Sequence, residues 1–439
     1  MGRPLQYLTL SRHDTPGCSP VQPGQTLFPY GVYTVKKLLS ALACTMACPV
    51  ACTVMLAAPV LPLGPVAAQP QATSPVQTQD DKEQSRPAKN VILFLADAGG
   101  VSTIHAASVL GYGEPLKLRI QQWPYLGLSE TSPVDKYVSD SANGMSSIMT
   151  GIKTHNGVIS QGPDGERGKK DGVATKTLLE YAEEQGLKTA VISTQSIADA
   201  TPAAAYSHSN DRGKWGEIFP QAFTPRFGDG VDILFGAGRE KIGAQLTAAG
   251  TGYAQLSKQY RRPIYATLAE VPASNQRPVV VADTMDVAAA THRALDILEK
   301  SPTGYFLVVE WDAHTDDARK GLQNVVDFDK LIAQVEKRVN LDETLLVFTA
   351  DHSFGLQIDK GARGDDLLKG YPEWKARNSK DDIVRLDHIL VNRTHTAEEV
   401  PALATGARAH TVRGYFPNTH LFNVILNAWG WNKETIKGE

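Results

Sequence analysis

Short runs of apolar, largely β-branched residues recur along this chain, separated by stretches with helical spacing. The runs are Val91–Ala96, Thr189–Ser193, Val231–Phe235, Val279–Ala282, Tyr305–Val309, Leu345–Thr349 and Ala402–Ala404. They are nearly continuous in apolar residues rather than alternating, the pattern of strands covered on both faces. Helical patterns fall at Ser141–Thr150, Thr175–Glu184, Met285–Lys300, Val325–Val339 and Thr419–Trp429. This alternation predicts an α/β fold in which one large domain, residues 89–439, has a mostly parallel central sheet flanked by helices on both faces. At 42% hydrophobic content the 439 residues suffice for a core of that size. Tyr206–Arg226 and Gly355–Leu386 are weakly periodic and are expected to be excursions that shape a site.

The first 88 residues read differently. Cys18, Cys44, Cys48 and Cys52 all precede residue 53, so the expected domain has neither a disulfide nor a thiolate metal site. Lys36 and Lys37 begin an apolar stretch, Leu38–Leu63, that ends near the small-residue sequence Val66-Ala67-Ala68. This resembles an export signal, about 32–68, cleaved before Gln69; Pro49, Pro59 and Pro62 disfavour a spanning helix. Residues 1–31 form a polar extension ahead of it, and residues 69–88, rich in Gln, Pro, Ser and Thr, read as a disordered linker. The expectation is a periplasmic or extracellular bacterial protein with no stable membrane association after cleavage. A net charge of −3 with no basic patch argues against nucleic-acid binding.

The chemistry is concentrated where strands are expected to end, the place where open α/β sheets gather functional groups. Val91–Ala96 is followed by Asp97, Thr189–Ser193 by Asp199, Tyr305–Val309 by Glu310, Asp312, His314, Asp316 and Asp317, and Leu345–Thr349 by Asp351 and His352. One such acid is commonly a helix cap, but four clusters together would repel one another unless cations bind among them. Asp, Glu and His without Cys suit zinc or magnesium, with manganese also compatible. Ser141, after Asp140 and at the start of a helical pattern, sits where backbone N–H groups favour a phosphate. No His follows it at a distance that suggests a local base, which points to a metal ion as activator.

These motifs, in order over most of residues 89–430, resemble those of the alkaline phosphatase family, metal-dependent phosphomonoesterases that use a phosphoserine intermediate. Lys89–Asp97 resembles the family's first strand, Asp140-Ser141-Ala142 its nucleophile motif, and Thr150–Gly157 the stretch that follows. The resemblance implies two zinc sites and one magnesium site. Asp97 would bridge a zinc and the magnesium, Thr201 and Glu310 would complete the magnesium site, and Asp199 would stand beside its waters. Asp351 and His352 would serve the second zinc, His395 the first, and Arg212 the phosphate. The family's Asp and His four apart find no full match here: Asp312 and Asp316 have the spacing, His314 the imidazole. The first zinc site is thus placed within Asp312, His314 and Asp316, and its carboxylates could favour a harder ion. The family is often dimeric, which leaves a homodimer open. A phosphodiesterase or phosphonate hydrolase of the same superfamily is the alternative, disfavoured by Ser141, Arg212, Thr201 and Glu310; a non-catalytic phosphate- or metal-binding protein is a third. His155, His208, His410, His420, Lys153, Trp311 and the Gly230–Arg239 stretch are expected to be structural, and Arg363–Asp366 a solvated loop.

Overall fold

The computed structural model describes residues 86–377 and 383–431. The expected extension and signal, and the linker as far as residue 85, lie outside the described residues. The last linker residue is packed: Ala88 is buried, and its N–H donates to the carbonyl of Ala428 at 2.6 Å.

A ten-stranded sheet forms the centre, in the order β13-β2-β12-β8-β1-β7-β3-β4-β6-β5. Its members are β1 (Asn90–Asp97), β2 (Tyr125–Glu130), β3 (Lys188–Ser196), β4 (Ile233–Ala237), β5 (Ile264–Tyr265), β6 (Val279–Val281), β7 (Tyr305–Asp312), β8 (Thr344–Thr349), β12 (Val400–Gly406) and β13 (Gly414–Pro417). From β8 through β5 every neighbouring pair is parallel, whereas β12 runs antiparallel to both β8 and β2. A second, antiparallel sheet, β10-β11-β9, is built from β9 (Ser353–Ile358), β10 (Ile383–Arg385) and β11 (Ile389–Thr396).

The apolar runs are continuous because the central strands are buried on both faces. Val91, Leu93 and Leu95 of β1 join one hydrophobic cluster, with Met145, Leu178 and Leu421 from helices Ser141–Thr150, Leu178–Glu184 and His420–Ala428. Ile92, Phe94 and Ala96 join the other, with Ile104, Leu295 and Phe328 from helices Val101–Tyr112, Val287–Leu298 and Ala318–Arg338. Each fully buried aliphatic or aromatic side chain contributes roughly 1.5–3 kcal/mol.

Helix Ser141–Thr150 has the bounds its pattern predicts. Leu178–Glu184 starts later than expected because Thr177 and Glu180 form a capping box. Ala318–Arg338 starts seven residues earlier than its apolar pattern, where Asp317 caps it. Gly355–Leu386 is not merely an excursion, since it supplies most of β9 and all of β10.

Candidate metal centre and nucleophile

The four acidic clusters converge because β8, β1, β7 and β3 are neighbours and all run parallel, so their carboxyl ends share one edge. Asp97 pairs in register with Asp312 of β7, and Glu310 is level with Ser193 of β3. Asp351 and His352 follow the end of β8 after a single residue, Ala350.

Ser141 is the first residue of its helix, and Asp140 caps it by accepting the Asn143 N–H at 3.1 Å. This helix lies so close to the end of β8 that a Cβ on Gly144 would sit 2.3 Å from the Asp351 carbonyl oxygen. Glycine permits the approach that puts Ser141 Oγ 3.4 Å from Asp97 Oδ1 and 3.3 Å from His352 Nε2.

Two groups of donors stand around that hydroxyl: Asp97, Asp351 and His352, and His314, His352 and His395, with ligand atoms in each group within 4.8 Å of one another. The rings of His352 and His395 stack with centroids 3.8 Å apart. His352 Nδ1 lies 3.1 Å from the Ser353 carbonyl, and His395 Nδ1 lies 2.9 Å from the Ser139 carbonyl. A carbonyl accepts only, so each Nδ1–H donates, which leaves Nε2 as the atom that can bind metal once the ring is deprotonated. His314 Nδ1 is 3.0 Å from Asp312 Oδ1 and 3.8 Å from Asp97 Oδ1.

Thr201 Oγ1 is 3.4 Å from Asp351 Oδ2, and Glu310 accepts a hydrogen bond from Ser193 Oγ. Arg212 is clamped between Asp140 Oδ2 at 3.3 Å and Asp199 Oδ1 at 3.2 Å. Asp199 also caps helix Ala200–Tyr206.

Asp316 does not join the cluster. It is exposed, and Arg393 stands 4.0 Å from its carboxylate. Four-residue spacing places two side chains on one face as a rule on a helix, and not in an irregular loop. Here Asp312 closes β7 and the next helix begins at Ala318, so the intervening loop turns His314 inward and Asp316 outward. His352 lies with Asp97 and Asp351, where it was expected, and is also within reach of His314 and His395.

The sequence matches the alkaline phosphatase family over residues 88–252 and 282–386. The chain belongs to that family. It is similar to alkaline phosphatase 4 of Drosophila melanogaster, 29% identical over 470 residues, covering 80% of this chain and 78% of that protein. It is also similar to streptomycin-6-phosphate phosphatase of Streptomyces griseus, 28% identical, covering 80% and 93%. The solved alkaline phosphatase of the Antarctic bacterium TAB5 superimposes with a TM-score of 0.63 at 27% identity, covering 79% of this chain and 99% of that one. The chain is thus a phosphomonoester hydrolase with the mixed α/β fold of the family's solved structures.

In this phosphatase the donor set fits divalent cations on charge as well as on reach. Burial, then Asp97, pushes Asp351 up to about 6, and the same causes push Glu310 well above the carboxylate range. Burial would raise Asp97 too, but His314, His352 and Arg212 hold it low. Against the pull of burial, Asp97 and Asp312 drive His314 up to about 9. The centre therefore draws positive charge, which protons can supply only by neutralising ligands and a divalent cation can supply directly. Burial and the nearby His352 push His395 down to about 4, so that ring stays neutral and able to bind metal.

The histidines expected to be structural have such partners. His208 contacts Glu180 and the Ser160 carbonyl, His155 the Pro163 carbonyl, and His410 and His420 the rings of Tyr125 and Phe416. Trp311 packs on Phe328. Four residues that support the site escaped the sequence reading: Ser139, Asn143, Asn156 and Ser193. Asparagine is neither a usual metal ligand nor a nucleophile, and Ser139 and Ser193 do not open a helical pattern as Ser141 does; Asn156 lies within the Thr150–Gly157 stretch.

Proposed function

We propose that this protein is an exported alkaline phosphatase that hydrolyses phosphate monoesters through a phosphoserine at Ser141. The observation that supports this most strongly is the Ser141 hydroxyl at a helix start, between Asp97 Oδ1 at 3.4 Å and His352 Nε2 at 3.3 Å.

Divalent cations held by Asp97, Asp351 and His352, by His314, His395 and Asp312, and (magnesium) by Asp97, Thr201 and Glu310 would lower the hydroxyl's pKa and neutralise the leaving oxygen. Two zinc ions and one magnesium remain the proposed complement. Arg212, ionised and held by Asp140 and Asp199, presents its fork to two phosphate oxygens. The first backbone N–H groups of helix Ser141–Thr150 face the same negative charge. Ser141 Oγ forms the new bond to phosphorus as the ester O–P bond breaks, and the serine proton ends on the departing alcohol. Water then breaks the phosphoserine O–P bond, releasing phosphate and restoring the hydroxyl. Positioning and charge neutralisation carry most of the catalysis in such transfers.

Export rests on the Lys36–Ala68 segment and predicts a mature N-terminus at Gln69. The test of the function compares wild type with Ser141→Ala on a phosphate monoester and a diester at alkaline pH. Wild type should prefer the monoester, and Ser141→Ala should lose at least about a thousandfold in kcat/KM with an unchanged circular dichroism spectrum. A Ser141→Ala protein as active as wild type would sink the nucleophile assignment, and a preference for the diester would sink the substrate class.

A further inference from the structure

We infer that Asn156 is a positioning residue that holds the turn bearing Ser141 in register with Arg212; the inference rests on the roles proposed above for those two residues. Ser141 follows a loop, not a strand, so no ladder of sheet hydrogen bonds fixes residues 138–140. The Asn156 side chain does this instead. Its Oδ1 accepts from the Asp140 N–H at 3.2 Å and from the Asn143 amide, and its Nδ2 donates to the Val138 carbonyl at 3.2 Å. These contacts bracket Ser141 on both sides. Asn156 is itself fixed, because its N–H donates to Asp135 Oδ1 at 3.1 Å.

The next residue holds the other partner. The Gly157 carbonyl accepts the Arg212 N–H at 2.9 Å, with Gly157 at φ +78°. One dipeptide thus ties the nucleophile turn by a side chain and the phosphate-binding arginine by a backbone carbonyl. The network continues through Asn143, whose Oδ1 accepts from Ser139 Oγ at 3.1 Å, to the Ser139 carbonyl that orients His395. A carboxamide is needed because position 156 both accepts and donates. Alanine removes every side-chain bond, whereas aspartate keeps the acceptor but sets a negative oxygen against the Val138 carbonyl.

The geometry makes a divided prediction. Loss of the amide frees the Ser141 turn while the Gly157–Arg212 bond, made by backbone, remains. Asn156→Ala should lower kcat/KM for a phosphate monoester by about 10–100-fold, in line with the cost of a small misplacement of reacting groups. The inhibition constant for inorganic phosphate should rise by less than kcat/KM falls, because Asp199 and the Gly157 carbonyl still hold Arg212 when the Asp140 turn loosens, and bound metal should be unchanged. Asn156→Asp should fall between the two, at roughly 3–10-fold, and carries the test if the alanine variant does not fold. In a Ser141→Ala background, Asn156→Ala should cost nothing further, because it acts through that hydroxyl. Wild-type kcat/KM in both Asn156 variants beside an inactive Ser141→Ala protein overturns this inference and leaves the nucleophile assignment standing. So does a loss matched by equal loss of phosphate affinity, bound metal or melting temperature, which would make Asn156 merely structural. Full activity in Ser141→Ala alone overturns the nucleophile assignment, and this inference with it.

Discussion

Arg212 shows how much one side chain depends on its neighbours. Asp140 and Asp199 hold its guanidinium from two sides, and Asp140 also caps the nucleophile helix. Burial works against the Arg212 charge, but Asp199, Asp140 and Asp97 raise its pKa beyond any working pH. Arg212→Ala should therefore weaken inorganic phosphate inhibition by about 10–100-fold, the worth of charge-assisted hydrogen bonds, with bound metal retained. Asp316→Asn, by contrast, should change kcat/KM by less than about twofold, since an exposed carboxylate near one arginine contributes little. Steady-state kinetics with phosphate as competitor reads both variants. The contrast marks the limit of reading residues in sequence: the identities of Asp97, Asp351 and His352 were legible, but which of Asp312, His314 and Asp316 turn inward depends on a loop whose path no spacing rule encodes.

Among the elements, helix Leu178–Glu184 carries a penalty unrelated to catalysis. Glu183 is buried, and burial followed by Asp232 and Asp229 pushes its carboxyl up to about 8, although Thr189 donates a hydrogen bond to it. A carboxyl whose native pKa lies above its unfolded value takes up protons on folding. Its contribution is complete below the unfolded pKa of about 4.5 and is lost as pH rises to about 8. Glu183→Gln keeps an acceptor for Thr189 and removes the titration. Its melting temperature should exceed wild type by a few degrees at pH 9 and match it near pH 4.5; equal values at both pH values would contradict the assignment. Seven strands of the main sheet were legible because burial on both faces writes unbroken apolar runs, whereas β2, β5 and β13 are short or half-exposed and write none. Helix Val101–Tyr112 and strands β9 to β11 were not, because Gly, Ser and charged residues dilute their pattern and packing against neighbours decides their form.

Across the molecule, folding and the site share one electrostatic problem. Asp97, Glu310 and Asp351 are buried at one sheet edge, where they repel one another. A ligand that binds the native state alone stabilises it by mass action. Chelation should lower the melting temperature along with activity, and zinc plus magnesium should restore both; a melting temperature indifferent to chelator would mean that the acids are compensated some other way. The parallel order β8-β1-β7-β3 explains why clusters more than 250 residues apart in sequence meet, and the strand-end rule anticipated it without specifying that order.

The most direct measurement is to quench the wild-type enzyme in acid during turnover of a labelled phosphate monoester and map the label by peptide mass spectrometry. One covalent phosphate on the peptide containing Ser141, absent from Ser141→Ala, is the predicted result. Full turnover with no label on Ser141, or with the label on another residue, would contradict it.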